Sequence, residues 1–201
     1  MIFPKEVTDN VFLLQLGKLR EKIIANTNRS IMVTGAERGH GTSTIAANIA
    51  YDLSKNSNCP TLLILDSKKS LADGRDIFSV DADLEEAIEL SPRDNLSFAC
   101  TQWKDTKKTQ IRNEALDKTF ESLKKSYSHI IIDAPCVRHC PEILGILPAI
   151  DLTVLLVRAN SIRWQVLNKT KQIIEEAKPK KLGVIINRKK YYIPGFLYNR
   201  L

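Results

Sequence analysis

The stretch Ser30-Ile31-Met32-Val33-Thr34-Gly35-Ala36-Glu37-Arg38-Gly39-His40-Gly41-Thr42-Ser43-Thr44-Ile45-Ala46-Ala47-Asn48-Ile49-Ala50 decides the fold. Ser30 to Thr34 is a short β-branched and apolar run that predicts a buried strand. Gly35 to Gly41 is glycine-rich, and Thr42 to Leu53 has helical spacing and composition. Strand, glycine-rich turn and helix in that order put a phosphate-binding loop at Ala36 to Thr44.

The same alternation extends in both directions. Upstream, apolar residues at Val11, Leu14, Leu19 and Ile23, with Asp9 as a possible cap, predict an amphipathic helix over 7–25. Downstream, Thr61 to Leu65 is an unbroken apolar run ending at Asp66, and His129 to Ile132 is another ending at Asp133; both read as strands buried on two faces. Helices are predicted over 83–90, 113–127, 141–147 and 162–177, and strands over 96–100, 152–157 and 182–186. The expected fold is α/β, a mostly parallel sheet with helices on both faces and ligands gathered at the carboxyl ends of the strands.

One domain spanning residues 1–201 is expected, with an N-terminal helical segment over 1–28 and a basic-aromatic tail over 188–201. Hydrophobic residues make up 43% and charged residues 26%, the balance of a folded globular protein. The longest apolar runs fall far short of the ~20 residues that cross a bilayer. Met1 to Asn10 lacks a basic segment followed by an apolar one, so no signal peptide and a cytoplasmic location are expected.

The net charge of +7 favours an anionic contact such as nucleotide phosphates or acidic headgroups. Neither a recognition helix nor a base-stacking aromatic set is visible, so nucleic acid is not expected as a partner. Cys59, Cys100, Cys136 and Cys140 are too few and too irregular for a disulfide framework and read as free thiols. Cys136, His139 and Cys140 cluster as softer metal ligands would, but a fourth ligand with recognisable spacing is missing.

Within the loop, Gly39 and Gly41 let the backbone wrap phosphate oxygens, the helix from Thr42 aims its amides at them, and Ser43 stands where a hydroxyl would ligate magnesium. The lysine that ordinarily precedes that hydroxyl is Thr42 here, and Thr42 cannot neutralise phosphate charge. Arg38, Lys68 and Lys69 are the candidate substitutes. Ile130-Ile131-Ile132-Asp133-Ala134-Pro135 supplies a carboxylate from which magnesium can be held through water.

These motifs, with Leu63-Ile64-Leu65-Asp66 and Leu182-Gly183-Val184-Ile185-Ile186-Asn187, resemble the bacterial tyrosine kinases (BY-kinases) and the CpsD/CapB-type proteins of capsule and exopolysaccharide synthesis, built on the MinD/ParA-like P-loop frame. The resemblance covers nearly the whole chain. It implies an ATP or ADP site with Mg2+, in which Arg38, Gly39, His40, Gly41, Thr42, Ser43 and Thr44 surround the phosphates. It further implies that Ser43, Asp66 and Asp133 serve the metal and its waters, Asp66 and Asp133 being the catalytic acids, and that Asn187 reaches the base. It implies a transmembrane polysaccharide chain-length or co-polymerase partner that recruits the protein to the inner face of the cell membrane.

The departures from that pattern are specific. The second acidic motif of the family carries two aspartates one residue apart and then an arginine; here the positions are Asp66, Lys68 and Ser70, so the group expected to accept the tyrosine proton is missing. The glutamate and two arginines that join family subunits into a ring align with Leu14, Gly17 and Arg20. The tail offers Tyr191, Tyr192 and Tyr198 as phospho-acceptors, and its basic and bulky apolar residues suit a partner, a membrane surface or the core itself.

Three functions follow as expectations. The first is a catalytically impaired, BY-kinase-like regulator of polysaccharide polymerisation or export. The second is an active ATP-dependent tyrosine autokinase, and the third a MinD-like membrane-positioning ATPase, whose signature lysine would fall at Glu37.

Overall fold

The computed structural model describes residues 10–66, 76–78, 83–90, 95–103 and 113–188. Seven strands form one sheet: β1 (Ser30–Gly35), β2 (Thr61–Asp66), β3 (Ile88–Leu90), β4 (Leu96–Thr101), β5 (His129–Asp133), β6 (Leu152–Arg158) and β7 (Leu182–Asn187). Their order is β3-β4-β2-β5-β1-β6-β7, and every pairing is parallel except that of β3 with β4. The helices are α1 (Asn10–Ala25), α2 (Thr42–Asn56), α3 (Leu84–Ala87), α4 (Asn113–Ser126) and α5 (Trp164–Glu176), with 3-10 segments at Val137–His139 and Pro141–Ala149.

Side chains alternate across the central strands, and the two faces feed two separate cores. Ile31, Val33, Leu63, Ile131, Val154 and Leu156 pack with Leu16 and Ile23 of α1 and with Ile45, Ile49 and Leu53 of α2. Met32, Leu62, Ile64, Ile130, Ile132 and Leu155 turn the other way, toward Leu116, Phe120 and Leu123 of α4, Ile174 of α5 and the 3-10 residues Ile143 and Leu147. Both faces being covered, these strands carry no polar alternation, as a parallel sheet requires.

Asp151 fixes the start of β1. Its carboxylate accepts the backbone amides of Arg29 and Ser30, both at 3.0 Å, and pairs with Lys124 at 3.1 Å. Partial burial pushes this acid up, but the amide of Ser30 and the ammonium of Lys124 outweigh it and hold the group well below the usual carboxylate range.

Two expected helices differ. Over 83–90 only Leu84–Ala87 is helical, capped by the Asp83 side chain on the Glu85 amide at 2.9 Å; Ile88 then turns extended and Ile88–Leu90 pairs antiparallel with β4. The edge of the sheet thus captures a segment whose glutamates and leucines carry helical propensity, a tertiary override. The predicted helix at 141–147 is a 3-10 segment reaching Ala149 that takes in Pro148. The N-terminal helix is described from Asn10, so its predicted start lies outside the described residues.

Candidate nucleotide site

β1 ends in the loop, α2 starts on the loop's far side, and β5 and β2 lie in order next to β1, so Asp133 and Asp66 are set at strand ends beside it. Gly39 and Gly41 adopt positive φ of 77° and 94°, the left-handed region where a side chain would be strained. A Cβ on Gly35 would lie 2.8 Å from the Glu37 carbonyl oxygen and 3.0 Å from Thr42 Oγ1. The loop therefore folds back over its own strand, and the Thr42 hydroxyl is turned into that closure.

Gly41 caps α2 without a side-chain hydrogen bond, and the first intrahelical bond is Ile45 N–H to the Gly41 carbonyl at 3.0 Å. The amides of Thr42, Ser43 and Thr44 precede it, and with the positive end of a 15-residue helix they suit phosphate oxygens. Ser43 and Thr44 are both exposed there.

Asp133 is buried and accepts a hydrogen bond from the Ser43 hydroxyl. Burial, the largest influence, raises its pKa, the Ser43 bond lowers it and the charge of nearby Asp66 raises it, so that the group is pushed up to about 7. The indole Nε1 of Trp103 donates to the Asp133 backbone carbonyl at 3.3 Å, holding the strand end in place. The Ser43 hydroxyl and the Asp133 carboxylate thus meet, with Asp66 near enough for its charge to act on Asp133, and oxygen donors of this kind suit magnesium.

Arg38 is exposed at the loop tip, and Lys68 and Lys69 lie outside the described residues. Glu37 pairs with Arg138 and lies 3.6 Å from His139 Nε2.

Two members of the set carry contacts that sequence did not announce. His40 is 3% exposed; its Nδ1 donates to the Leu156 carbonyl at 3.2 Å and its Nε2 lies 3.2 Å from the Ser161 hydroxyl, so the imidazole is a strut between loop and β6 while its backbone remains in the loop. Asn187, at the end of β7, donates from Nδ2 to the His40 carbonyl at 2.9 Å and accepts the Arg188 amide at 2.8 Å. The family resemblance singled it out as a base contact, but nothing local signals that its partner is the loop.

Arg20 of α1 reaches both carboxylate oxygens of Asp52 on α2 at 3.0 Å, an ion pair within the chain. Tyr191, Tyr192 and Tyr198 fall outside the described residues. Among the described residues no helix is long and apolar enough to cross a membrane, and all four cysteines are free thiols.

No family model matches the chain. The tyrosine-protein kinase CpsD of Streptococcus agalactiae is 24% identical over 173 residues, 80% of this chain and 76% of that protein. The BceF tyrosine kinase domain superimposes with a TM-score of 0.70 at 23% identity, covering 85% of this chain and 73% of that one. The septum site-determining protein MinD of Pyrococcus horikoshii OT3, solved with Mg-ADP, gives a TM-score of 0.55 at 21% identity, covering 86% and 76%. Sequence similarity and fold together make the chain a homologue of the CpsD tyrosine-protein kinases on a MinD/ParA-like P-loop fold.

Proposed function

We propose that the protein is a catalytically impaired regulator of capsule or exopolysaccharide polymerisation or export. It would bind magnesium nucleotide weakly, work in the cytoplasm, and reach the inner face of the membrane through a transmembrane chain-length or co-polymerase partner. The homology to CpsD supports the pathway class.

The observation that carries the impaired reading is an asymmetry within the site. Ser43 is hydrogen-bonded to Asp133 and the charge of Asp66 acts on that carboxylate, which supports a retained magnesium side, whereas the position of the phosphate-neutralising lysine is Thr42, its hydroxyl folded against Gly35. Magnesium, when bound, offsets part of the phosphate charge. The lysine's share of transition-state stabilisation has no counterpart at position 42, and Lys68 stands where the second aspartate of the motif would accept a tyrosine proton. Ring assembly through the N-terminal helix is likewise disfavoured, because Leu14 and Gly17 stand at two of the three ring positions and the remaining Arg20 pairs with Asp52.

The retained Ser43, Asp66 and Asp133 and the similarity to the CpsD tyrosine-protein kinases favour an active autokinase instead. Mass spectrometry after prolonged incubation of the full chain with magnesium and ATP separates the two. The impaired reading expects Tyr191, Tyr192 and Tyr198 to stay unmodified; phosphotyrosine that disappears in Asp133→Ala would overturn it.

A further inference from the structure

We propose a second, separate metal site for a zinc-class divalent cation, formed by Glu37, Cys136 and His139. The ligand atoms of these three side chains lie within 4.8 Å of one another. Sequence proximity suggested Cys136, His139 and Cys140, but the Cys140 thiol lies instead against the Trp103 carbonyl at 3.6 Å, and the third ligand arrives from the phosphate loop.

The backbone between Cys136 and His139 supplies the geometry. Val137–His139 is a 3-10 turn begun by Cys136, with the His139 amide bonded to the Cys136 carbonyl at 2.9 Å. Three residues per turn set positions 136 and 139 on the same side. Opposite them stands Glu37, whose two oxygens are already divided: Oε1 meets Arg138, and Oε2 lies 3.6 Å from His139 Nε2. Zinc bonds of ~2.0–2.3 Å in a tetrahedron separate ligand atoms by roughly 3.3–3.8 Å, so the His139–Glu37 spacing is already within that range and only small side-chain movements close the triangle.

The chemistry of the set is soft enough for zinc and unsuited to magnesium, which takes oxygen ligands. The Cys136 thiol, which now donates to the Ala36 carbonyl at 3.4 Å, would lose its proton and turn its sulfur to the metal. Thiolate, carboxylate and neutral imidazole balance the divalent charge, Arg138 keeps the other Glu37 oxygen, and water completes the fourth position. Because Glu37 belongs to the phosphate loop and Cys136 follows Asp133-Ala134-Pro135, the ion would clamp the loop to the segment leaving β5.

Cobalt titration of the full-length, tag-free protein tests the site, with no nucleotide or activity involved. The expected result is one equivalent of cobalt giving a thiolate-to-metal charge-transfer band in the near ultraviolet, bleached by one equivalent of zinc. Cys136→Ser should abolish the band while leaving the circular dichroism unchanged, and His139→Ala and Glu37→Gln should each weaken zinc binding at least about tenfold, in the range found when a metal site loses a supporting group. Absence of the band at excess cobalt, or its persistence in Cys136→Ser, would overturn the proposal. If Cys136→Ser fails to fold, His139→Ala decides: an unchanged zinc affinity in that variant refutes the site.

Discussion

The side-chain amide of Asn187 donates to the backbone carbonyl of His40 at 2.9 Å, tying the end of β7 to the middle of the glycine-rich loop between β1 and α2. Glycine at 41 is favoured by its φ of 94°, and a Cβ there would come within 2.9 Å of that same amide nitrogen and displace it. The loop is held from two sides, by Asn187 through His40's carbonyl and by Leu156 and Ser161 through its imidazole.

Asn187→Ala removes one half-buried hydrogen bond of that anchor and is expected to lower stability by about 0.5–1.5 kcal/mol in urea denaturation. Since the residue fixes the loop, ATP and GTP affinity should fall together, by roughly two- to tenfold. A loss confined to ATP in calorimetry would mean that Asn187 reads the base instead.

Asp133 gives the metal-free protein a defined pH response. Its folded pKa of about 7 lies above the unfolded value near 3.8, so the folded state holds more protons between these limits. Its contribution is therefore fully present below the unfolded pKa and is lost as pH rises through 7, with a slope of up to ~1.4 kcal/mol per pH unit. Asp133→Asn keeps an acceptor for Ser43 and abolishes this dependence. At pH 8 without magnesium the variant should be more stable than wild type by about 1–4 kcal/mol, which calorimetric scans between pH 5 and 8 would detect.

Much of this site was legible because its parts are local. A β-branched run, a glycine turn and a helix start mark the loop in any chain, and unbroken apolar runs ending at Asp66 and Asp133 mark buried parallel strands. What stayed hidden depends on partners distant in sequence. Ile88–Leu90 is a strand only because β4 offers an edge. The His40 imidazole needs Leu156 and Ser161 to become a strut, and Glu37 meets Arg138 and His139 only after β1 and β5 are paired. Spacing along the chain cannot report such contacts.

Thr42→Lys restores the missing charge at the position where the loop expects it. A charge-assisted contact to phosphate contributes about 1.5–3 kcal/mol, so Mg-ATP affinity should rise roughly ten- to a hundredfold in calorimetry. Tyrosine phosphorylation should remain absent, because Lys68 occupies the motif position from which the second aspartate would act as base. Unchanged affinity would show that Arg38 or another cation already serves the phosphates.

The central claim, a site whose magnesium half survives while its catalytic charge does not, is tested most directly by equilibrium binding of ATP and ADP with and without magnesium, on wild type and Asp133→Ala. Weak binding that depends on magnesium and is lost in Asp133→Ala is the predicted result. No detectable binding at millimolar nucleotide, or binding indifferent to both magnesium and Asp133, would contradict it.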